Sequence, residues 1–337
     1  MGFSSQAGQV VFRTQTVQGT YNADTATAGV SMKLRSGSLG PSRELLIPDP
    51  EIGGGRDVVD AYLGAVSWSG DYEFYCRTDG LLTLLKAALG TAPAPTTVTG
   101  VSTHTITPSD AASLPYLSIE ETIGANLETY QYTDCVVNTL HVEADANGYF
   151  MGTVGIIGAK QTAGNTRAAT PLQDATPMYV GTNISLTYNA VTLPGKNFSL
   201  DINNNFEDDD YRLGSFYIGD LTPKRREVTA SVGIRESSSA LWRTAVYGSS
   251  AAVAPGGITN KQQLIITAST YEDIPASTPL TKYSIGITIP KFALTPYGLE
   301  ASGDDVIESD IGGQALRPAI GTPLLTTVVK TGLTTIA

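Results

Sequence analysis

The side chains best suited to chemistry in this sequence are one histidine and two carboxylates at alternate positions. His141, Glu143 and Asp145 would project from one face of a β-strand, because successive side chains of a strand point to opposite faces. One imidazole and two carboxylates could hold a divalent cation. Such residues far more often form a plain solvated strand face, so no metal site is predicted. The chain contains only 2 histidines, so few residues are available to act as the base of a His-based catalytic triad.

A second pattern has the spacing of a calcium-binding loop. Acidic and amide side chains occupy alternate positions from Asp201 to Asp209, as the ligands of an EF-hand do. However, Phe206 stands where that loop needs glycine, and Arg212 stands where it needs a bidentate glutamate. We interpret the segment as a polar loop. The glycine triplet at 53–55 is followed by no phosphate-binding lysine, so the sequence predicts no cofactor and no enzyme.

The elements that must position these residues include a strand–helix unit that occurs twice, at 70–90 and at 228–248. In each copy apolar residues alternate as in a half-buried strand, and a short helix with an apolar stripe follows. Asp79 is predicted to cap the first helix and Ser237 or Ser238 the second, with Gly90 and Gly248 ending them. Residues 216–221 would match the strand at 61–66, since both contain Tyr-x-Gly.

The composition predicts a folded, mainly β chain with a few short helices. Hydrophobic residues make up 41% and charged residues 16% of the 337 residues, which is long enough for two domains. The segment 159–177 is poor in bulky apolar residues, so we predict two tandem similar domains, 1–165 and 166–337. The first 29 residues read as polar and Thr-rich, with the first clear strand beginning at Val30.

The charge excludes a surface that binds DNA through its phosphates. The net charge is -11, and the stretch 87–159 contains no Lys or Arg while it carries seven acids. This segregation is as consistent with chance as with a surface that must not hold DNA. Cys76 and Cys135 lie in strand-like runs and are predicted to be buried thiols in a reducing compartment. No secretion signal or membrane span is recognised, so synthesis in a cytoplasm is expected.

Several of these features together resemble the tail tube proteins of long-tailed, non-contractile phages, in the type that carries two tube domains in one chain. They are the repeated unit, an early long loop at 36–60, the strand pair around Cys-Val-Val-Asn-Thr-Leu at 135–140, and Ile-Thr-Ile-Pro-Lys-Phe at 287–292 followed by Gly-Asp-Asp. The resemblance implies β-sandwich or half-barrel domains with one flanking helix each. It also implies stacked rings around a lumen that DNA passes through, and no catalytic residues.

The resemblance further implies partners and a place for the protein. The chain would pair with itself, as three chains in a pseudo-sixfold ring, and would meet tape measure, tail terminator and distal tail proteins in the virion tail. The long loop after the first strand would reach the adjacent ring, and the loop 203–214 occupies the same place in the second half. In the first loop, Leu45, Leu46 and Ile47 are the candidates for ring stacking, because exposed aliphatic side chains need a partner to cover them.

The candidates for a negatively charged lumen are the acids Glu120, Glu128, Glu143 and Asp145, while Val136, Leu140 and Val142 should pack under the helix at 80–89. The same acids could instead lie on the outer wall and serve only solubility. Three other functions stay open at this point. They are the tube of a contractile injection system or tailocin, a capsid or other virion shell protein, and a β-rich hydrolase with paired carboxylates.

Overall fold

The computed structural model describes residues 4–23, 29–53, 56–58, 60–125, 127–236, 238–257, 259–299 and 306–336. Features named above that lie outside these ranges are Ser237, the Gly-Asp-Asp triplet at 303–305, and residues 54 and 55 of the glycine triplet.

Within these ranges the chain is built mainly from strands. In the first half they are β1 (Gln9–Thr14), β2 (Val30–Met32), β3 (Leu34–Gly37), β4 (Gly40–Leu46), β5 (Tyr62–Tyr75), β6 (Gly90–Thr91), β7 (Thr96–Val98), β8 (Val101–Pro108), β9 (Leu117–Ile123), β10 (Glu128–Asp145) and β11 (Met151–Thr162). In the second half they are β12 (Leu172–Gln173), β13 (Ile184–Tyr188), β14 (Val191–Thr192), β15 (Gly195–Asn203), β16 (Glu227–Arg235), β17 (Lys261–Asp273), β18 (Lys282–Leu294), β19 (Glu308–Ala315) and β20 (Thr326–Thr331). The α-helices are α1 (Thr78–Leu89) and α2 (Ala240–Tyr247), with short 3-10 turns at Ser5–Ala7 and Gly181–Asn183. The prediction of a mainly β chain with a few short helices is confirmed.

Two segments differ from their predicted structure. The N-terminal region contains strand β1, whose Val11 and Phe12 are fully buried, although its Thr-rich surroundings indicated no strand. Residues 216–221 form no ladder. Only isolated bridges occur there, such as that between Tyr217 and Val66, so this segment is a loop rather than a copy of the strand at 61–66.

The hydrogen-bonded strands follow one order twice. In the first half the order is β1, β9, β10, β11 and β5, and in the second half it is β13, β17, β18, β19 and β16. Each series ends on the strand that leads into a helix, α1 after β5 and α2 after β16. The free side of β5 pairs with β3 and β4, and that of β16 pairs with β15.

Among the described residues, three strand pairs join the two halves. Strand β10 pairs with β9 along its first part and with β15 along residues 139–145. Strand β8 pairs antiparallel with β20, and β2 pairs parallel with β12. Strands from before residue 165 are therefore hydrogen-bonded to strands from after it. The division into two domains at that residue stays a prediction.

Helix α1 is capped by a side chain from the other half of the chain. Ten of its twelve residues are buried, and Arg77 at its N-cap makes no capping hydrogen bond with its side chain. The buried Asp174 carboxylate instead accepts a hydrogen bond from the Gly80 N–H at 2.8 Å. The prediction that Asp79 caps α1 is wrong, because its Oδ1 accepts a hydrogen bond from the Thr331 hydroxyl at 2.7 Å. Burial raises the pKa of Asp79 to about 6.

Both helices end at glycine as the sequence predicts. Gly90 has φ 98° and Gly248 has φ 84°, values that a residue without Cβ adopts at little cost. At the start of α2, the Ser238 hydroxyl accepts a hydrogen bond from Ala240 N at 3.4 Å, while the N-cap position itself is Ser239.

A β-bulge at Asn138 decides which side of β10 faces the main core. The register with β11 shifts between Val137 and Thr139, so Val137 and Leu140 both reach the main core although they are three positions apart. Val136 points to the other side and packs in a separate small cluster. The prediction that Val136 shares a face with Leu140 is therefore wrong.

Candidate assembly surfaces

One side of the sheet is polar across six strands, and we call it the polar face. Residues directly opposite each other in paired strands point to the same side of a sheet. Two rows run across β5, β11, β10, β15, β16 and β19: Glu73, Thr153, His141, Asp201, Thr229 and Gln314, and then Tyr75, Met151, Glu143, Ser199, Ser231 and Gly312. Alternate residues of the same strands, such as Leu140 and Leu200, lie in the main core with α1. The polar face is thus the side turned away from that core.

Carboxylates dominate the charge of the polar face. They are Asp71, Glu73, Glu143, Asp145, Asp201, Glu227, Glu308 and Asp310. Arg235 is opposite Glu308 and lies on the same face. Cations at its margin include Arg35, whose guanidinium lies 5.3 Å from the centroid of the Tyr75 ring, and Lys196, which forms an ion pair with Glu308. Because the carboxylates outnumber these cations, the polar face carries a net negative charge.

His141 lies in the middle of this face, on the β10–β15 pair, one of the strand pairs that join the two halves. Its Nδ1 is 2.6 Å from Asp201 Oδ1, and its Nε2 is 3.4 Å from Glu143 Oε2. Partial burial lowers the pKa of the imidazole, but the two carboxylates raise it by more, so the net shift of the pKa is upward. In the described part of the chain, no group of three or more His, Cys, Asp or Glu side chains is arranged to hold a metal ion.

The four acids proposed for the lumen lie in three different environments. Glu143 and Asp145 are exposed on the polar face. Glu128 stands at the start of β10, far from that face, and its Oε1 accepts a hydrogen bond from the Gly164 N–H at 2.6 Å.

Glu120 is buried, with 2% of its surface exposed. Its Oε1 accepts a hydrogen bond from the Ala168 N–H at 2.7 Å, and its Oε2 lies 3.7 Å from Arg13 Nη1. Glu120 is therefore a buried residue of β9 with partners inside the chain, and we do not propose it as a lumen residue. Of the eight carboxylates on the polar face, only Glu143 and Asp145 come from the stretch 87–159, so that stretch supplies a minor part of its charge.

A second surface lies at the end of a long hairpin formed by β4 and β5. The segment 36–60 was expected to be a loop, but it contains the second half of β3 and all of β4, and β4 pairs antiparallel with β5. Leu45 is opposite Leu63 and Leu46 is opposite Tyr62, with Ile47 following β4. These five side chains are all exposed, and we call them the apolar tip. All of β4 is exposed, and among the described strands it pairs with β5 alone, so Leu45 and Leu46 lie on an edge strand.

The counterpart predicted for the second half at 203–214 lies, apart from Asn203 at the end of β15, in a longer loop, 204–226, which packs on the first half. The carbonyl oxygen of Phe216 accepts a hydrogen bond from the Val66 N–H at 2.8 Å, and the Tyr217 ring lies 6.1 Å from that of Trp68. On its underside, Phe206, Ile218 and Leu221 form the small cluster with Val136 and Ile157. This loop therefore covers β10 and β11 next to the polar face.

Six carboxylates of the polar face were not identified from the sequence. A local signal existed for two of them, since Asp71 and Glu73 alternate with the buried Tyr72 and Phe74. Asp201 similarly stands between two buried strand residues. What the sequence did not indicate is that β10 and β15 pair, which places these acids in common rows.

The comparison with known families gives one match. A family model described as "Phage tail tube protein" matches residues 5–315 of the chain. No curated protein matches the sequence. In the described residues, no helix is both long and apolar enough to span a membrane.

Proposed function

The chain belongs to the phage tail tube protein family, and from this premise we propose that it polymerises into stacked rings whose lumen conducts genomic DNA into the host cell. A tail tube protein is a component of the virion tail and assembles with copies of itself and with other tail components. The family is structural, which favours a tube over the capsid and hydrolase alternatives and a role without catalysis. The tape measure, tail terminator and distal tail proteins are the proposed neighbours along the tail.

The observation that carries this proposal is the polar face. It extends over strands of both halves, opposite the side that holds the core and α1, and it is rich in carboxylates. A lysine or arginine that faced passing DNA would bind a phosphate and release a counterion, and this attraction would sum along the tube. We propose that the polar face lines the lumen, with Glu143 and Asp145 among its inward carboxylates.

The ring is proposed to contain three chains with pseudo-sixfold symmetry. Support comes from the strand order that occurs in both halves and from the matching positions of α1 and α2. Each chain would then supply two adjacent wall positions. The apolar tip, with Leu45, Leu46 and Ile47, is proposed to pack against the next ring, since it is exposed in the isolated chain.

Electron microscopy of the purified chain at high concentration tests the proposal. Tubes whose end-on class averages contain three chains per ring are expected. Closed shells or monodisperse particles at all concentrations would contradict a tube, and six whole chains per ring would contradict the tandem arrangement.

A further inference from the structure

The strand that forms the edge of the β4–β5 hairpin is attached to the body of the protein at one residue. From Arg35 to Pro50 every residue is exposed except Leu39, which is 5% exposed and belongs to the main core. The register of pairing with β5 is the same on both sides of Leu39. Strands β3 and β4 are therefore two parts of one strand, which is interrupted where Leu39 turns inward.

Both backbone polar groups of Leu39 are held by side chains of the body. The Glu121 carboxylate on β9 accepts a hydrogen bond from the Leu39 N–H, and the Tyr132 hydroxyl on β10 donates one to the Leu39 carbonyl oxygen at 3.2 Å. The Tyr72 hydroxyl donates to Glu121 Oε2 at 3.2 Å, and Gln161 Nε2 donates to the Tyr132 hydroxyl at 3.1 Å. We call Glu121 and Tyr132 the Leu39 clamp.

The Leu39 clamp is buried, because Glu121 is 6% and Tyr132 is 1% exposed. Water cannot easily replace its hydrogen bonds there, so the backbone of Leu39 would bear the cost of an unpaired buried group if it lost them. Strand β5 is held at the same place. A Cβ atom on Gly70 would overlap the Ser38 carbonyl oxygen, so the two strands lie directly against each other beside the clamp.

Beyond the clamp the hairpin extends away from the main core, and we call residues 40–46 and 62–69 the arm. All of β4 and the first two residues of β5 are exposed, and they carry the apolar tip. On the β5 side the arm is held by the loop 204–226, since the Val66 N–H donates a hydrogen bond to the Phe216 carbonyl oxygen at 2.8 Å. The arm thus has one anchor on each of its strands.

We propose that Glu121 and Tyr132 are positioning residues, which fix the direction of the arm in the free chain before any contact between copies is made. The consequence for assembly rests on the proposed function, in which the apolar tip at the end of the arm contacts another copy. A direction that is fixed beforehand lowers the ordering cost of association. Loss of the clamp should therefore slow assembly while the body of the chain stays folded.

The direction of the arm is measured in unassembled chains from the distance between two spin labels. One label is placed at Leu46→Cys in the apolar tip and the other at Thr105→Cys, an exposed position of β8. Cys76 and Cys135 are completely buried and do not compete for the label. Tube growth is followed separately, by light scattering of the same variants without the labelling cysteines.

Two substitutions remove the clamp, and each has a matched control. Tyr132→Phe removes only the hydroxyl, and its control Tyr130→Phe removes the hydroxyl of the half-buried tyrosine whose ring lies 6.4 Å away. Glu121→Met removes the acceptor, and its control Glu121→Gln keeps an acceptor oxygen for the Leu39 N–H. We expect the clamp variants to broaden the distance distribution roughly twofold and to slow tube growth by on the order of tenfold, with both controls close to wild type.

The two measurements separate this proposal from the proposed function. If Tyr132→Phe is folded and its distance distribution equals that of wild type, the clamp does not position the arm, and the proposal is wrong while the proposed function stands. A broader distribution with an unchanged rate of tube growth also overturns the positioning role. If wild type forms no tubes, the proposed function fails, and the distances in unassembled chains still decide whether the clamp fixes the arm.

Discussion

His141 Nδ1 on β10 lies 2.6 Å from Asp201 Oδ1 on β15, and this contact crosses one of the strand pairs that join the two halves of the chain. The charged and polar groups around the imidazole are Asp201 on β15, Glu143 on its own strand, Thr153 on β11 and, one strand further, Glu73 on β5. The surroundings are acidic, which favours the imidazolium form.

The first prediction concerns the pH dependence of stability. Because the pKa of His141 is raised above its ordinary value of 6.5 in the folded chain, its stabilising contribution is complete below that value and is lost as the pH rises through the folded pKa. We expect wild type to exceed His141→Gln in unfolding free energy by up to about 1 kcal/mol at about pH 5.5, the scale of partly exposed ion pairs, and by less at about pH 8.5.

Chemical denaturation at the two pH values measures this difference, and Asp201→Asn is the matched variant that should remove most of it. NMR titration gives an independent check, since burial lowers the pKa of His104 while that of His141 is raised. A difference that is larger at the higher pH would contradict the assignment.

The second prediction concerns Asp174, which is 1% exposed. Its carboxylate accepts hydrogen bonds from Gly80 N at 2.8 Å and from the Thr176 hydroxyl at 2.7 Å. Asp174→Ala leaves both donors buried and unpaired, so we expect a loss of about 2–3 kcal/mol of unfolding free energy. The control Asp208→Ala changes an exposed side chain and should stay within about 0.5 kcal/mol of wild type. Equal stabilities of the two variants would show that α1 does not depend on this cap.

Particular residues show how far the sequence could predict this structure. Alternation of apolar and polar residues identifies β5, β10 and β18, and glycine positions identify both helix ends, because these signals are local. The bulge at Asn138 has no such signal, since the residues around it are apolar on both sides of the strand, and Val136 was therefore placed on the wrong face. The cap of α1 was also missed, because Asp174 lies 94 residues from Gly80.

The same difference between local signals and contacts of distant residues applies to the candidate surfaces. Leu45, Leu46 and Ile47 could be identified from sequence because three aliphatic residues occur together in a segment without periodicity. Glu120 could not be excluded, since its burial depends on Arg13 and on the backbone of Ala168. Contacts between distant parts of the chain decide which polar residues are exposed, and the sequence alone does not give them.

The third prediction is that the apolar tip is required for assembly but not for folding. The triple substitution Leu45→Ser, Leu46→Ser and Ile47→Ser changes only exposed side chains, so we expect the unfolding free energy to change by no more than about 0.5 kcal/mol for each. Sedimentation should show that this variant remains unassembled at concentrations where wild type forms tubes. The control Leu280→Ser removes a leucine that is more exposed than those of the tip and should assemble normally. Normal tubes from the triple variant would rule out a role for the tip in stacking.

The fourth prediction concerns the charge of the lumen. Glu143→Lys combined with Asp145→Lys places two cations on the polar face, and tubes of this variant should retain short double-stranded DNA at low salt and release it as salt is raised. Wild-type tubes should retain little. The control Glu272→Lys with Asp273→Lys makes the same change of charge at the end of β17, outside the polar face. If both variants retain DNA equally, the effect comes from overall charge and not from the lumen.

The central claim is that the polar face lines the lumen of the tube, and a helical reconstruction of assembled wild-type tubes by cryo-electron microscopy tests it most directly. We predict Glu73, Glu143 and Asp201 on the inner wall, α1 outside them, and a net negative lumen. The claim is contradicted if these carboxylates lie on the outer wall, or if the inner wall carries a net positive potential.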